Sequence, residues 1–285
     1  MRDPSRFSRL RTCLLLALIA SSVGCTTKFL YNHADWLAMW QLDRYFDLTS
    51  DQKEFLASSL ASILARHRKE ALPQYERFLT RLRDELSDGL TAEEVDGFFS
   101  AYRHLRGDLF ERFVEGGSVF LTSVNDSQLQ HLERAFARRN LGADRLLETD
   151  REKRLAQRAE WTVEWLTGLL GPLSAPQVEG ITELSLGLPD TLPAWHEFQR
   201  QRQEAFLQLL RSRHDGIDVE QRLRQWLVYP EDQAPPSYQQ AVENMQQGVK
   251  RMALSIDRII TTEQRQHTRA RLQHLTATVH ELSGL

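Results

Sequence analysis

Cysteine is almost missing from this 285-residue chain: there are two, Cys13 and Cys25. At most one disulfide is possible, so the fold must be held by packing rather than by covalent staples. Lysine is nearly as scarce, at positions 28, 53, 69, 153 and 250 only, and arginine supplies the remaining basic charge, a bias we read as genomic composition. Period-two alternation of β-branched residues is absent, which argues against sheets. The formal charge is −3, and a chain without a basic excess does not suit nucleic acid. Enzyme signatures are missing as well. His196-Glu197 is followed by Phe198-Gln199-Arg200 and lacks the second histidine of a zinc-protease helix. Gly116-Gly117 lacks the lysine of a phosphate loop, and no Gly-x-Ser-x-Gly elbow occurs. Of nine histidines, His267 and His274 share a helical register two turns apart, but neither has a third ligand at matching spacing, so no metal is expected.

What is present begins at the N-terminus. Arg2, Arg6, Arg9 and Arg11 lead into an apolar stretch from Leu14 to Ala20, then into small residues that end at Val23-Gly24-Cys25. That order is an export signal, too short to remain as a membrane-spanning helix. Its end resembles the lipobox of bacterial lipoproteins, which implies a mature chain that starts at Cys25 and carries acyl (palmitate) chains there. Thr26, rather than aspartate, follows the cysteine, which by the sorting rule of enteric bacteria implies the outer membrane. The leader carries +3, from four arginines and Asp3, which leaves −6 on the remainder. Cys13 would leave with the leader, so no disulfide would remain possible.

Leu, Ala, Glu, Gln and Arg dominate the rest, which favours helix. A local pattern recurs six times: an aliphatic residue, a capping residue, two variable positions, then Gln or Glu. The pairs are Thr49 with Gln52, Thr91 with Glu94, Asn125 with Gln128, Ser174 with Gln177, Asp218 with Gln221, and Thr261 with Gln264. This is the capping box, in which the cap oxygen accepts from a first-turn N–H and the Gln or Glu reaches back to the cap's own N–H. Six helix starts are therefore expected. The first three boxes precede the last three by similar offsets, and Leu72-Pro73-Gln74-Tyr75 with Phe78 recurs as Leu192-Pro193-Ala194-Trp195 with Phe198. We read this as a tandem duplication of a three-box helical unit.

Apolar stripes at helical spacing (Phe55, Leu56, Leu60, Ile63 and Leu64; Trp161, Trp165 and Leu169; Leu272, Leu275, Val279 and Leu282) are assigned to the core. Pro73 should break the first long helix, and Gly116-Gly117-Ser118 and Leu188 to Pro193 should interrupt others. Pro230 to Ser237 reads as a loop, either a hinge or a protruding flap. Asp35, Asp43 and Asp47 flank Trp36, Trp40, Tyr45 and Phe46; the aromatics are expected to dock this lead segment onto the bundle, and the aspartates to be solvated or act as caps. Arg134, Arg138, Arg145, Arg151, Arg154 and Arg158, mixed with acids, read as a solvated helix carrying ion pairs.

Two family resemblances follow. Gly24-Cys25, Tyr31-Asn32, Asp35-Trp36, Asp43, Tyr45 to Leu48 and Gln52 resemble the opening of the DUF6279 lipoproteins, a Gram-negative family of unknown function; that implies a mostly helical lipoprotein and no transferable activity. Leu48 to Gln52 and Ile260 to Gln264, with the continuation to Leu272, are similar to the Leu-Thr-x-x-Gln boxes of the periplasmic Spy and CpxP proteins, helical cradles whose Spy-type members chaperone unfolding clients. The present chain is about twice as long as those proteins.

Together these readings give an all-α multi-helix bundle with a signal peptide at 1–24, an anchor and aromatic lead helix at 25–47, and helical units at 48–170 and 173–285. The expected protein is a non-enzymatic, periplasm-facing lipoprotein that uses no cofactor. Its partners are the membrane, through acyl chains on Cys25, and an envelope protein or peptide held in a helical cradle. The alternatives are a structural subunit of an envelope assembly and, third, an envelope enzyme with a dispersed site.

Overall fold

Caps and prolines divide the chain into its elements. A computed structural model describes residues 24–284, with side chains from Thr27; the expected leader up to Val23 and the side chain of Cys25 lie outside the described residues. The lead segment forms α1 (Gly24–Asn32) and α2 (Ala34–Phe46). Then come α3 (Ser50–Glu70), α4 (Leu72–Glu85), α5 (Ala92–Glu111), α6 (Val114–Ser123), α7 (Asp126–Glu148) and α8 (Arg151–Leu170). The chain continues through α9 (Ala175–Leu186), α10 (Leu192–Arg211), α11 (Val219–Leu227), a 3-10 turn (Pro230–Gln233), α12 (Pro236–Ile259) and α13 (Thr262–Ser283). Among the described residues there is no strand, and the fold class is all-α. The helices α3, α5, α7, α9, α11 and α13 each start directly after one of the six box caps. A seventh cap, Asp150, accepts from Lys153 N at 3.2 Å and starts α8. Pro73 falls in the first turn of α4, after α3 has ended at Glu70.

Packing follows a repeated and exchanged pattern. The lead helix α2 packs on α3 and α7, and α8 packs on α9 and α13 in the same manner. The Leu-Pro helix α4 packs along α13, while its counterpart α10 packs along α7. Likewise α6 packs on α11 and α12 on α5. Inward residues of the two lead helices keep one spacing: Met39, Leu42, Tyr45 and Phe46 on α2, and Val163, Leu166, Leu169 and Leu170 on α8. The division read from the sequence put α8 with the first unit. Its apolar stripe faces α9 and α13 of the second.

The exchange decides where the core lies. One cluster joins Phe46, Leu56, Phe120, Leu132, Phe206, Leu210 and Leu223, from α2, α3, α6, α7, α10 and α11. A second joins Leu72 and Leu79 of α4 to Leu272, Leu275, Val279 and Leu282 of α13. Each fully buried aliphatic side chain contributes about 1.5–3 kcal/mol relative to exposure. Both clusters therefore depend on residues far apart in sequence.

Several local expectations need correction. Gly116 and Gly117 lie inside α6 rather than interrupting it. A Cβ on Gly116 would stand 2.4 Å from Ser59 Oγ, and one on Gly117 2.9 Å from a Leu223 methyl, so the glycines serve close approach of α6 to α3 and α11. The Pro230–Ser237 segment is no protruding flap: Glu231 accepts a bidentate pair from Arg106 at 2.5 and 2.7 Å, and Ala234 is buried. Arg154 and Arg158 are not solvated. Arg158 donates to Ser185 O, Leu188 O and Pro189 O at 2.6–2.8 Å, which ties the end of α9 to the turn that follows it. Arg154 pairs with Asp190 at 2.5 Å. In the stripes, Phe55 and Trp161 are exposed, whereas Leu56, Leu60, Ile63 and Leu272 are buried.

The exchanged packing predicts the behaviour of fragments. A chain divided between Thr149 and Asp150 should give two pieces, neither of which melts cooperatively alone, because α4 lacks α13 and α10 lacks α7. Co-expressed, the pieces should associate one to one and recover the cooperative transition in circular dichroism. A sharp monomeric melt from either piece would contradict this packing.

Candidate functional site

Four of the six box glutamines or glutamates do more than cap. Gln52, Gln128, Gln177 and Gln264 are buried, although glutamine is usually exposed. They meet in two pairs. Gln52 Nε2 donates to Gln128 Oε1 at 3.2 Å, and Gln128 Nε2 returns a bond to Gln52 Oε1 at 2.6 Å. The remaining amide hydrogens go to backbone carbonyls, Gln52 to Ser123 O and Gln128 to Asp47 O, both at 3.1 Å. The remaining acceptor sites take the cap N–H groups of Thr49 and Asn125, also at 3.1 Å. Each amide thus meets its full capacity of two donated and two accepted bonds.

The second pair repeats the first. Gln177 and Gln264 exchange bonds of 2.8 and 3.1 Å. Gln177 donates to Ile259 O at 2.8 Å and Gln264 to Pro172 O at 2.7 Å. Their oxygens accept from Ser174 N at 2.9 Å and Thr261 N at 3.0 Å. In both pairs the accepting carbonyl lies two residues before the partner's cap. The helix before each pair ends on a positive φ, at Asp47 (50°) and Gly171 (90°).

The cap oxygens also accept from their own first turns: Thr49 and Asn125 from the N–H of Gln52 (3.3 Å) and Gln128 (3.0 Å), and Thr261 from Gln264 (3.2 Å). The other two boxes stay at the surface. Thr91 accepts from Glu94 N at 3.2 Å, and the Glu94 carboxylate accepts from Thr91 N at 2.7 Å, which holds that carboxyl below its usual range. Asp218 accepts from Gln221 N at 2.8 Å. The sequence pattern does not separate paired from unpaired boxes, except that a glutamate, as at 94, is costly to bury.

An open cleft of about 640 Å³ lies over the second pair. Leu170, Pro172, Pro176 and Ile259 wall it, and Glu263 and His267 stand among its lining residues. His267 and His274 are both exposed. Among the described residues no three His, Cys, Asp or Glu side chains are arranged to hold a metal ion. His196 is buried, with its Nε2 3.7 Å from Asp144; burial lowers its pKa.

A buried polar cluster ties the lead segment to the bundle. The Tyr31 hydroxyl lies 2.8 Å from His67 Nδ1, and His67 Nε2 lies 3.3 Å from the Tyr75 hydroxyl. Burial, then the charge of Arg112, pushes the His67 pKa down to about 4. Burial pushes both tyrosines up to about 12. His67 is therefore neutral, with one ring nitrogen donating and the other accepting. Sequence reasoning did not single out His67, because one histidine in a helix carries no local signal.

The acids of the lead segment take local roles. Asp43 pairs with Lys53 and accepts from Leu48 N, both at 3.0 Å, and Asp35 accepts from Trp36 N at 2.8 Å. Of the aromatics expected to dock this segment, Phe46 is buried and Tyr45 packs beside it, but Trp36 and Trp40 face outward.

The model of a family of unknown function, DUF6279, matches residues 44–239, and the chain belongs to that family. No curated protein and no solved structure matches it. The matched span holds the first five boxes, while Gln264, which completes the second pair, lies beyond it.

Two measurements test this geometry. Gln128→Leu removes one donated and one accepted bond from the Gln52 amide and takes the side-chain partner from the Asn125 N–H; it should cost about 2–3 kcal/mol in denaturant melts, whereas Gln221→Leu should cost under about 0.5 kcal/mol. Equal losses would mean that the pairing carries no weight. The second concerns pH. The folded pKa of His67 lies below its unfolded value, so between about pH 4 and 6.5 the unfolded chain binds the extra proton. Stability should therefore fall as pH drops through that window, by up to about 3 kcal/mol from this group. His67→Gln should flatten the slope, and an unchanged slope would remove His67 from the account.

Proposed function

We propose that this chain is a periplasm-facing lipoprotein of the outer membrane, anchored through acyl chains on Cys25. It is built from a duplicated helical unit and binds unfolded segments of envelope proteins or peptides without catalysing a reaction. The observation that carries the binding reading is the open cleft over Gln177 and Gln264, whose walls are Leu170, Pro172, Pro176 and Ile259. Apolar walls around a few fixed polar groups suit a segment held by its side chains. Ile259 is exposed there and free to make such contacts. The repeated paired glutamines and the exchanged packing support descent from a duplicated unit, for which the recurrent Leu-Pro-x-aromatic segment was the sequence sign. No helix among the described residues is long and apolar enough to cross a membrane, so on this reading attachment falls to Cys25.

The test is suppression of aggregation. The protein purified from the envelope should keep a denatured test protein soluble without ATP. Ile259→Asp should weaken suppression severalfold while changing stability by less than about 0.5 kcal/mol, since the side chain is at the surface. No suppression at several-fold molar excess would favour the structural-subunit alternative.

A further inference from the structure

The lead segment has two faces, and only one of them is used inside the protein. Its inner face packs Met39, Leu42, Tyr45 and Phe46 on the bundle, with Tyr31 held by His67. Its outer face carries three exposed aromatics: Phe29 is 61% exposed, Trp36 62% and Trp40 46%, with Leu37 beside them. The helical ladder runs through the junction of α1 and α2, since His33 N donates to Phe29 O at 3.1 Å and Leu37 N to His33 O at 3.0 Å. The residues therefore share one register. At 100° per residue, Phe29, His33, Trp36, Leu37, Trp40 and Arg44 occupy about 100° of the helix circumference. Phe29 stacks on His33 with ring centroids 4.2 Å apart, and the Arg44 guanidinium sits 5.8 Å from the Trp40 ring.

Cys25 falls on the same stripe. It lies one turn before Phe29, in the backbone of α1, and begins a 25, 29, 33, 36, 40, 44 ladder. We infer that this outer face of α1 and α2 is a docking surface for the lipid bilayer, with Phe29, Trp36 and Trp40 seated in the headgroup region. The inference rests on the reading of Cys25 as the acylation site. Acyl chains that leave a helix on one side bring that side to the bilayer, and tryptophan is the side chain best suited to its interface. The stripe runs about 22 Å along the helix from Cys25 to Trp40, so a chain tethered at one end would lie flat along the surface. The acyl chains tether one end only, and an apolar face next to them adds buried area that holds the length of the segment to the same surface.

The experiment uses envelope-purified protein in vesicles of phosphatidylethanolamine and phosphatidylglycerol, with the N-terminal mass measured first. Nitroxides are placed by Trp36→Cys, by Trp40→Cys and, as reference, by Leu141→Cys on α7, the helix that packs on the inner side of α2. At positions 36 and 40, collisions with oxygen should exceed those with a water-soluble nickel chelate, and at 141 the order should reverse. If an acylated protein shows 36 and 40 as aqueous as 141, the docking inference falls while the anchor stands. If the mass shows no acyl groups, the anchor reading falls, and Cys25→Ser protein sedimented with the same vesicles decides the stripe. A docking stripe predicts that Trp36→Asp with Trp40→Asp lowers the bound fraction at least about tenfold; an unchanged bound fraction overturns it.

Discussion

The paired glutamines are the constraint on which the other arrangements depend. A primary amide has two donors and two acceptor sites, and when it is buried each unmet one costs about 1–3 kcal/mol. Gln52 with Gln128, and Gln177 with Gln264, meet all of theirs by joining two helix starts back to back and by holding the carbonyls that precede them. Such a joint leaves little freedom. Rotating one helix start breaks bonds at the other, so the starts of α3 and α7, and of α9 and α13, are held in one mutual orientation.

With the joints fixed, the rest of each set of helices must find its cover elsewhere. The Leu-Pro helices α4 and α10 turn away from the box helices that precede them in sequence and lie along α13 and α7 of the opposite set. The core clusters consequently mix residues from early and late in the chain. A fold connected in this way is a single cooperative body, even where its sequence reads as two repeats. The same logic explains the buried His67. A phenol on each side keeps a neutral imidazole satisfied where α1 meets α3 and α4, at the cost of making that junction sensitive to acid.

Much of this architecture was legible in the residues, because capping chemistry is local. A side-chain oxygen three residues before Gln or Glu marks a helix start whatever surrounds it, and six starts could be placed from spacing alone. What the residues do not spell out is distance. Nothing in Gln52 announces Gln128, and the same four-letter pattern is a surface cap at Thr91 and a buried joint at Thr49. Gly116-Gly117 looks like a break until Ser59 and Leu223 are seen against it, at which point the glycines are a means of close approach. Arg154 and Arg158 share a charged run with solvated neighbours, and only their meeting with the end of α9 makes them structural. The lead aromatics divide by register: Phe46 falls on the inner face, while Trp36 and Trp40 fall on the other.

The two sets of helices are alike in their joints and unlike in their surfaces, and specialisation has to reside in the differences. Over the second pair the residues before the cap are Pro172 and Leu173, with Pro176 in the first turn of α9, and an open cleft lies there. At the first pair, Asp47 and Leu48 take the places before the cap, and His131, three residues after Gln128, lies 3.2 Å from Arg44 O. The lead helices differ in the same sense. Both bury four apolar residues at one spacing, but α2 is preceded by α1 and extends its outer face back to Cys25, whereas α8 follows directly from α7. Repetition therefore accounts for the frame, and each half adds one surface of its own: an aromatic face beside the N-terminus on the first, an apolar cleft on the second. An amide joint that fixes geometry without using the surrounding surface leaves both surfaces free to change while the frame stays constant.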